Sequence, residues 1–299
     1  MSLAGRRSGN VTTDAGGNYS FTRLTNGNYT ITPSESGYTF TPSSSAQTVN
    51  GANITGVSFT AAVLYNVGSN PFGICFDGAN IWVTNNGSNN VTKLRASDGT
   101  TLGAYSVGSG PFGICFDGAN IWVANSRSND VTKLRASDGS ALGTYGVGSG
   151  PYDICFDGAN IWVANRGSGT GNTVSKLRAS DGASLGTYTV GSVPSDVCFD
   201  GANIWVTNCG SNTVSKLRAS DGASLGTYTV GTSPYGICFD RANANIWVTN
   251  EASNTVSKLR ASDGAVLGTY TVGTAPFGIC FDGANIWVVN SGDNTVTKL

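Results

Sequence analysis

Short runs of alternating apolar and polar residues recur along this chain, and Gly, Asn, Asp or Ser separates one run from the next. After residue 70 the first such runs are Gly73 to Phe76, Ile81 to Thr84, Val91 to Arg95 and Leu102 to Val107. Alternation with period two predicts β-strands, and the separating residues favour tight turns. No segment has the 3.6-residue periodicity of an amphipathic helix. We therefore predict an all-β protein.

The four runs recur along the chain as parts of a sequence repeat that contains the stretch PFGICFDGANIWV. Its copies begin at Pro71, Pro111, Pro151, Pro194, Pro234 and Pro276, with spacings of 40, 40, 43, 40 and 42 residues. Four strands at this period are the sequence form of β-propeller blades. The first three runs occur six times but the fourth only five times, because the last repeat reaches Leu299 within its third run.

A segment before the repeats resembles the missing fourth run, since Leu64 to Gly68 matches Thr269 to Gly273. We predict that residues 62–68 supply the fourth strand of the last blade and that residues 62–299 form a six-bladed β-propeller of four-stranded blades. Pairing the two termini in this way would leave only short, protected sheet edges.

A tight hairpin between the first two strands of a blade places Phe76 opposite Ile81 and Cys75 opposite Trp82. Both faces of each blade are then apolar, as expected if every blade packs between two others. We therefore expect the six tryptophans to be core residues between blades, with the six repeated cysteines as small apolar neighbours. These tryptophans are Trp82, Trp122, Trp162, Trp205, Trp247 and Trp287.

Residues 1–61 differ from the repeats because they contain neither Cys, Trp nor Lys. Apolar runs at Tyr19 to Thr22, Tyr29 to Ile31, Tyr38 to Phe40 and Val57 to Phe59 predict short antiparallel strands. The stretch TDAGGNYSFTRLTNGNYTITPSESGYTFTP resembles the carboxypeptidase regulatory-like (Cna-B or prealbumin-like) β-sandwich of many surface proteins, without its opening strand. We interpret residues 1–61 as a partial β-sandwich that serves as a spacer.

The repeats themselves resemble a known group of propellers. IWVTN and IWVAN, with PFGICFDG before them and SNTVSKLRASDG after, are similar to the YVTN or YncE-like repeats of microbial surface proteins. They resemble more distantly the virginiamycin B lyase-like and NHL propellers. This resemblance implies a bacterial protein that is extracellular or exposed on the cell surface, and we expect the chain to be part of a longer secreted protein.

Composition excludes several function classes. The net charge is −1 and only 12% of the residues are charged, so no basic surface for nucleic acid is expected. No apolar run approaches the roughly 20 residues of a membrane span. Histidine is absent, which removes the commonest general base and metal ligand. We expect a monomer without a cofactor.

We call the second and third strands of each repeat strands b and c. In the first five repeats strand c carries a lysine and an arginine two residues apart, such as Lys93 and Arg95. Acidic residues of the neighbouring turns, such as Asp77 and Asp98, balance these charges. We interpret this belt as solvated outer surface or as ion pairs between blades.

Differences between otherwise similar repeats concentrate in two loops that open on the same rim of a propeller, one joining blades and one joining strands b and c. Because propellers commonly bind ligands at this mouth of the channel, we predict a ligand-binding site there. The candidate residues are Phe72, Arg127, Tyr152, Asp153, Arg166, Asp196, Cys209, Tyr235 and Glu251.

We interpret the chain as a non-catalytic module that binds a protein, a glycan or a small ligand at this mouth. One alternative is a metal-dependent hydrolase of the gluconolactonase type, for which Asp153, Asp196 and Glu251 are the only candidate carboxylates, the first two being candidate metal ligands. A lyase of the virginiamycin B type relies on histidine, which this chain lacks. A purely structural spacer is a further alternative.

Overall fold

The computed structural model describes all 299 residues and divides them into two compact units, Met1–Asn66 and Val67–Leu299. Both are built from β-strands, and the helical structure is a single 3-10 turn at Glu251–Ser253. This confirms the predicted all-β class. None of the helical structure has the length and apolar character needed to cross a membrane.

The first unit contains two small antiparallel sheets, with strand orders β2-β1-β3-β5 and β4-β6. Its core forms around Leu3, Tyr29 and Ile31, because β3 alternates inward and outward side chains. The strands are β1 (Ser2–Gly5), β2 (Gly9–Asn10), β3 (Gly27–Thr32), β4 (Tyr38–Thr41), β5 (Ser45–Val49) and β6 (Thr60–Val63).

Two of the four strands predicted in this unit are present, as β3 and β4. The runs Tyr19 to Thr22 and Val57 to Phe59 form no strand. Their aromatic side chains nevertheless pack on the core, and the Tyr19 hydroxyl donates a hydrogen bond to the Val57 carbonyl at 2.8 Å. Apolar alternation there reflects burial without backbone pairing.

The second unit consists of six consecutive antiparallel sheets, numbered here 1 to 6. Sheet 1 holds β7 (Pro71–Phe76), β8 (Asn80–Asn85), β9 (Asn90–Arg95) and β10 (Thr101–Ser106); sheet 2 holds β11 (Pro111–Phe116), β12 (Asn120–Asn125), β13 (Asp130–Arg135) and β14 (Ala141–Gly146). Sheet 3 holds β15 (Pro151–Phe156), β16 (Asn160–Asn165), β17 (Thr173–Arg178) and β18 (Ser184–Thr189); sheet 4 holds β19 (Pro194–Phe199), β20 (Asn203–Asn208), β21 (Thr213–Arg218) and β22 (Ser224–Thr229). Sheet 5 holds β23 (Pro234–Asp240), β24 (Asn245–Asn250), β25 (Thr255–Arg260) and β26 (Val266–Thr271); sheet 6 holds β27 (Pro276–Phe281), β28 (Ile286–Asn290) and β29 (Thr295–Lys298).

The hairpin register of each sheet is the predicted one: Cys75 pairs with Trp82 and Phe76 with Ile81. Each sheet therefore has two apolar faces. We name them the Trp face, which bears the tryptophan of the second strand, and the Ile face, which bears the isoleucine before it. The Trp face of each of sheets 1 to 5 packs on the Ile face of the following sheet, as predicted for the tryptophans.

Four lysines of the third strands are buried between sheets, which corrects the predicted charge belt at Lys93, Lys133, Lys176 and Lys216. Lys258 is half-buried and Lys298 is exposed. Lys133 is 5% exposed, and its Nζ lies 5.0 Å from the Trp122 ring centroid. The ammonium donates to the carbonyls of Ala179 and Ser180 in the next sheet, at 2.7 and 3.0 Å. The long aliphatic stem covers the indole while the charge finds backbone acceptors, so these four lysines are neither solvated nor ion-paired.

The arginines of the same strand do reach solvent. Arg95 forms an exposed ion pair with Asp98 at 2.9 Å, within one sheet and not between blades. The equivalent arginines of sheets 2 to 5 do the same. Exposed pairs of this kind contribute about 0.2–1 kcal/mol each.

Sheet 6 differs from the predicted last blade because it has three strands and no fourth strand from residues 62–68. In the structure Thr60–Val63 pairs with β4, and residues 64–68 form no strand. The first strands of consecutive sheets pack side by side from β7 to β27. Between sheets 6 and 1 the rings of Phe277 and Phe72 meet in an edge arrangement at 6.5 Å, whereas Ile74 and Trp287 stay exposed. The junction between sheets 6 and 1 is therefore only partly packed.

Candidate functional site

Five aromatic rings converge where the first strands of the sheets begin. Each follows the loop proline that starts a first strand, so the repeat places them at one rim of the unit. Phe72 and Phe112 have ring centroids 4.6 Å apart in an edge arrangement, and Phe112 stacks on Tyr152 at 4.7 Å. Tyr235 and Phe277 lie 4.0 Å apart. We call these five rings the aromatic cluster.

The cluster contains three of the predicted residues, Phe72, Tyr152 and Tyr235, together with two that the prediction did not include. Phe112 and Phe277 occupy the same repeat position as the other three, so the repeat alignment could have identified them. In sheet 4 the position holds Ser195. The rings fill this side of the unit, and Phe72, at 43% exposed, presents the largest accessible ring edge of the cluster.

Arg166 lies over the two tyrosines. Its guanidinium carbon is 4.6 Å from the Tyr152 ring centroid and 5.4 Å from that of Tyr235. Its Nη1 donates to the Tyr235 hydroxyl at 3.0 Å, and that hydroxyl shares a second hydrogen bond with the hydroxyl of Tyr152. Burial raises the pKa of both tyrosines although the arginine opposes the shift. Both phenols are therefore protonated at neutral pH.

The loop that positions Arg166 runs from residue 166 to 172 between β16 and β17 and is three residues longer than the same loop of sheets 1 and 2. The Gly171 amide donates to the Arg166 carbonyl at 2.9 Å, which folds the loop back on itself. Gly167 and Gly169 have φ of 60° and 93°, in the left-handed region that glycine adopts without strain. The insertion thus serves to hold the arginine over the cluster.

Asp153 and Asp196 form a carboxyl pair on the first strands of sheets 3 and 4. Asp196 accepts from the amides of Val197 and Ile237 at 2.7 and 2.9 Å, and Asp153 accepts from the Val197 amide at 3.3 Å. Burial raises the pKa of Asp153 well above its usual range, and the neighbouring Asp196 charge raises it further. Burial also raises the pKa of Asp196. Both shifts favour the protonated form, so the pair should keep a proton at pH values where an exposed aspartate is ionised.

Glycine occupies the equivalent position in the other four sheets. At Gly73 and Gly236 an added Cβ would collide with a carbonyl oxygen of the next sheet, from Phe112 and Phe277 respectively. The two aspartates are therefore departures that need local accommodation, and their side chains take up amide hydrogens of the following strands.

The remaining predicted residues lie along the rim. The Arg127 Nη2 reaches the Asn86 Oδ1 at 3.4 Å, and the Cys209 Sγ is 3.1 Å from the Ser233 Oγ. Glu251 begins the 3-10 turn, and its amide donates to the Ser233 carbonyl at 2.9 Å. None of these three hydrogen-bonds to the aromatic cluster or the carboxyl pair.

Metal-binding chemistry gains no support from this arrangement. No group of three or more cysteine, aspartate or glutamate side chains is placed to hold a metal ion. Asp153 and Asp196 accept hydrogen bonds from backbone amides, and Glu251 does not join them. The seven cysteines are free thiols, and burial raises the pKa of Cys75 and Cys238 to about 12, which suppresses the reactive thiolate.

The two rim arginines differ from those of the repeat. The arginines of strand c in sheets 1 to 5 each pair with an aspartate three residues later. Arg127 and Arg166 form no salt bridge, although Arg166 is half-buried. The rim therefore combines an aromatic surface with two uncompensated positive charges.

Two open grooves occur elsewhere. One, of about 620 Å³, lies between sheets 2 and 3 on the side away from the cluster and is lined by residues that include Asp117, Lys133 and Arg178. The other, of about 760 Å³, lies in the first unit around β4. Neither contains a predicted site residue.

Comparisons with known proteins agree with the two-unit division. Residues 2–63 match the family profile of the BOS complex subunit NOMO1-like second β-sandwich domain. No curated protein matches the chain.

Among solved structures, similarity extends to β-propeller lyases. A streptogramin B lyase has a TM-score of 0.65 at 22% identity, covering 77% of this chain and 83% of its own. A virginiamycin B lyase from Staphylococcus aureus has a TM-score of 0.63 at 19% identity, with the same coverage. A catalytically inactive histidine-to-alanine variant of that enzyme, solved with quinupristin, has a TM-score of 0.67 at 19% identity and covers 99% of this chain and 98% of its own. At these identities the likeness concerns the fold, and the repeated four-stranded sheets of this chain form a β-propeller fold like that of virginiamycin B lyase.

Proposed function

We propose that this chain is a non-catalytic binding module that recognises a ligand at the rim formed by the aromatic cluster, Arg166 and Arg127. The observation that carries the proposal is the convergence of the residues that depart from the repeat. Tyr152, Tyr235 and Arg166 lie on sheets 3 and 5, yet they meet in one cluster. Random substitution of surface residues would scatter such departures around the rim.

The chemistry of this rim suits recognition better than catalysis. Tyrosine and arginine are the residues that most often dominate binding energy at protein interfaces, because they combine apolar contact with hydrogen bonding. The Arg166 guanidinium, stacked on the tyrosines, has N–H donors beyond the one that bonds to Tyr235, and Phe72 adds an exposed apolar side chain. A ligand that carries an apolar group beside hydrogen-bond acceptors, on a protein, a glycan or a small molecule, would satisfy both features.

Enzymatic alternatives are less well supported. The histidine-to-alanine variant of virginiamycin B lyase is catalytically inactive, and this chain has no histidine. A metal-dependent hydrolase would need converging ionised carboxylates, whereas burial raises the pKa of Asp153 and Asp196 and Glu251 lies apart.

Finer points of the fold and setting also belong to this proposal. We propose six blades from the six sheets, and an extracellular or cell-surface location from the resemblance to YVTN repeats of microbial surface proteins. The partial β-sandwich of the first unit would then act as a spacer, and the monomeric state stays a prediction.

Array binding tests the proposed function. Fluorescently labelled full-length chain is applied to a glycan array and to a peptide array, together with Phe72→Ala and Arg166→Gln variants. Arg218→Gln, at an exposed turn on the opposite side, is the matched control. We expect signals that both rim variants lose at least tenfold and that the control keeps. Signals that all four proteins share, or no signal on either array, would contradict the proposal.

A further inference from the structure

The two phenol hydroxyls of the aromatic cluster carry one proton more than the chain accepts. The Tyr235 oxygen accepts a hydrogen bond from the Arg166 Nη1 at 3.0 Å and shares a second one with the Tyr152 hydroxyl. Each hydroxyl has a single proton, and burial raises the pKa of both tyrosines. Whichever tyrosine donates in the shared bond, the proton of the other hydroxyl has no acceptor. One O–H donor is therefore free.

This free donor lies below the surface of the rim. Tyr152 is 9% exposed and Tyr235 is 8% exposed. Buried polar groups almost always have a hydrogen-bond partner, because a donor that is removed from water without one costs free energy. An unpartnered donor at this depth points to an acceptor that comes from outside the chain.

A positive charge lies beside the free donor. The guanidinium carbon of Arg166 is 4.6 Å from the Tyr152 ring centroid, and its Nε and Nη2 have no hydrogen-bond partner. Asp153 does not pair with this arginine, because its carboxyl accepts from the Val197 amide and burial favours its protonated form. A half-buried charge without a counter-charge is costly. The arginine and the free phenol proton therefore favour the same occupant, a negatively charged acceptor.

Charge and shape narrow the class of anion. One guanidinium supplies one positive charge and a pair of parallel N–H donors, which match the two oxygens of a carboxylate. A phosphate monoester would bring about 1.5–2 negative charges at neutral pH, more than Arg166 balances. Arg127 hydrogen-bonds to Asn86 and not to the tyrosines. A singly charged, planar anion fits best.

An apolar surface adjoins the same tyrosine. The Phe72 ring centroid is 5.6 Å from that of Tyr152 in an edge arrangement, and Phe72 is 43% exposed. The free N–H and O–H donors and an accessible apolar ring thus both contact Tyr152. A ligand with an aromatic or aliphatic group next to its carboxylate would meet both.

We propose that this rim binds a carboxylate that is carried next to an apolar group. The free N–H donors of Arg166 and the free phenol proton would hydrogen-bond to the carboxylate, and Phe72 would contact the apolar group. This inference rests on the proposed binding function and deepens it by giving the chemical class of the ligand. The other five sheets lack the arginine, since their equivalent residues are Asn86, Ser126, Cys209, Glu251 and Ser291.

A matched pair of small probes tests the carboxylate. N-acetyl-phenylalanine and N-acetyl-phenylalaninamide share the apolar group and differ in the charged one, and each is titrated into the full chain by calorimetry at neutral pH. We expect the acid to bind about tenfold more tightly than the amide, because hydrogen bonds to charged groups are the stronger ones. Arg166→Gln should remove this difference, and Arg218→Gln, the exposed control, should keep it. Melting curves confirm that each variant is folded.

The phenol proton has its own test. Tyr152→Phe and Tyr235→Phe each leave one hydroxyl with a free proton, so each single variant should bind the acid within about threefold of the wild type. The double variant has no phenol proton and should bind it about tenfold more weakly than the wild type. If Tyr235→Phe alone weakened binding as much as the double variant, the hydroxyl would only position Arg166, and the role of the phenol proton would be refuted.

The outcomes separate this inference from the proposed function. Equal binding of the acid and the amide, or no binding of the acid, overturns the inference. The proposed function survives either result if the array signals still depend on Phe72 and Arg166, and it fails if those signals are absent. Tighter binding of phenyl phosphate than of the acid would overturn the choice of anion. Binding of glucuronic acid as tight as that of N-acetyl-phenylalanine would overturn the need for an apolar group.

Discussion

Replacing Asp153 by asparagine should make the protein more stable at neutral pH and should abolish most of a pH dependence. The native pair retains a proton that the unfolded chain releases above the ordinary aspartate pKa of 3.8. The folded state therefore binds more protons, and the free energy of unfolding falls as pH rises from about 4 towards the raised pKa of the native pair. Asparagine keeps a hydrogen-bond donor towards Asp196 without a group that ionises.

The magnitude follows from proton linkage. One proton held by the native state alone changes the free energy of unfolding by about 1.4 kcal/mol per pH unit. The free energy of unfolding of Asp153→Asn should therefore exceed that of the wild type by up to this amount for each pH unit between pH 4 and the native pKa. Below pH 4 the two free energies should converge. Most substitutions destabilise, so a gain would be distinctive.

Urea denaturation from pH 4 to pH 8 measures this difference. Asp98→Asn is the control, because Asp98 is exposed and hydrogen bonds from Thr100 and Arg95 lower its pKa. The control should show no gain at neutral pH. If the free energies of unfolding of the wild type and Asp153→Asn changed with pH in parallel over the whole range, the retention of a proton by the native pair would be refuted.

Further predictions concern the junctions between sheets. Lys133→Met should lower the free energy of unfolding by about 2–4 kcal/mol, since it removes two charged hydrogen bonds and a cation–π contact. Lys298→Met, which loses no carbonyl partner, should lower it by under about 1 kcal/mol. Equal losses in urea denaturation would contradict the role of the carbonyls. In the other sheets the tryptophan N–H donates to the aspartate after the first strand, as Trp82 does to Asp77 at 2.7 Å. In sheet 5 the turn between the first two strands has two extra residues and leaves the Trp247 indole N–H without an acceptor. Replacing residues 241–244 by Gly-Ala, as in the other repeats, should supply the bond to Asp240 and raise stability by about 1 kcal/mol; no gain in melting temperature would speak against it. If residues 62–68 closed the last sheet, deleting residues 1–68 would lower the melting temperature far more than deleting residues 1–61, whereas the pairing of Thr60–Val63 with β4 predicts similar values for the two truncations.

The sequence predicted the hairpin register because two constraints act together on each repeat. A short turn limits the pairing of the first two strands, and a one-residue slip would move Trp82 to the opposite face. In the first unit such constraints are weaker, and Tyr19 to Thr22 buries side chains without forming a strand. Apolar alternation alone could not separate these two outcomes.

The sequence identifies most residues of the candidate site but not their arrangement in space. Aligning the repeats isolates Tyr152, Asp153, Arg166 and Asp196 as departures. Nothing in the alignment shows that the inserted loop returns Arg166 over two tyrosines, because that depends on the path of the glycines in the loop. The lysines were misread for a related reason: a charge on a strand suggests solvent, while the carbonyls that accept from Lys133 belong to a sheet more than 40 residues away.

Sheets 6 and 1 meet through the rings of Phe72 and Phe277 but leave apolar side chains exposed, so the six sheets form an array with one weak junction. In such an array stability is a sum over neighbours, and each unit at the weak junction has one closely packed neighbour where each other unit has two. Sheets 1 and 6 should therefore open most often, and their amides should exchange with solvent before those of sheets 3 and 4. Because the carboxyl pair lies on sheets 3 and 4, and Tyr152 and Arg166 belong to sheet 3, much of the site occupies the part of the array that unfolds last.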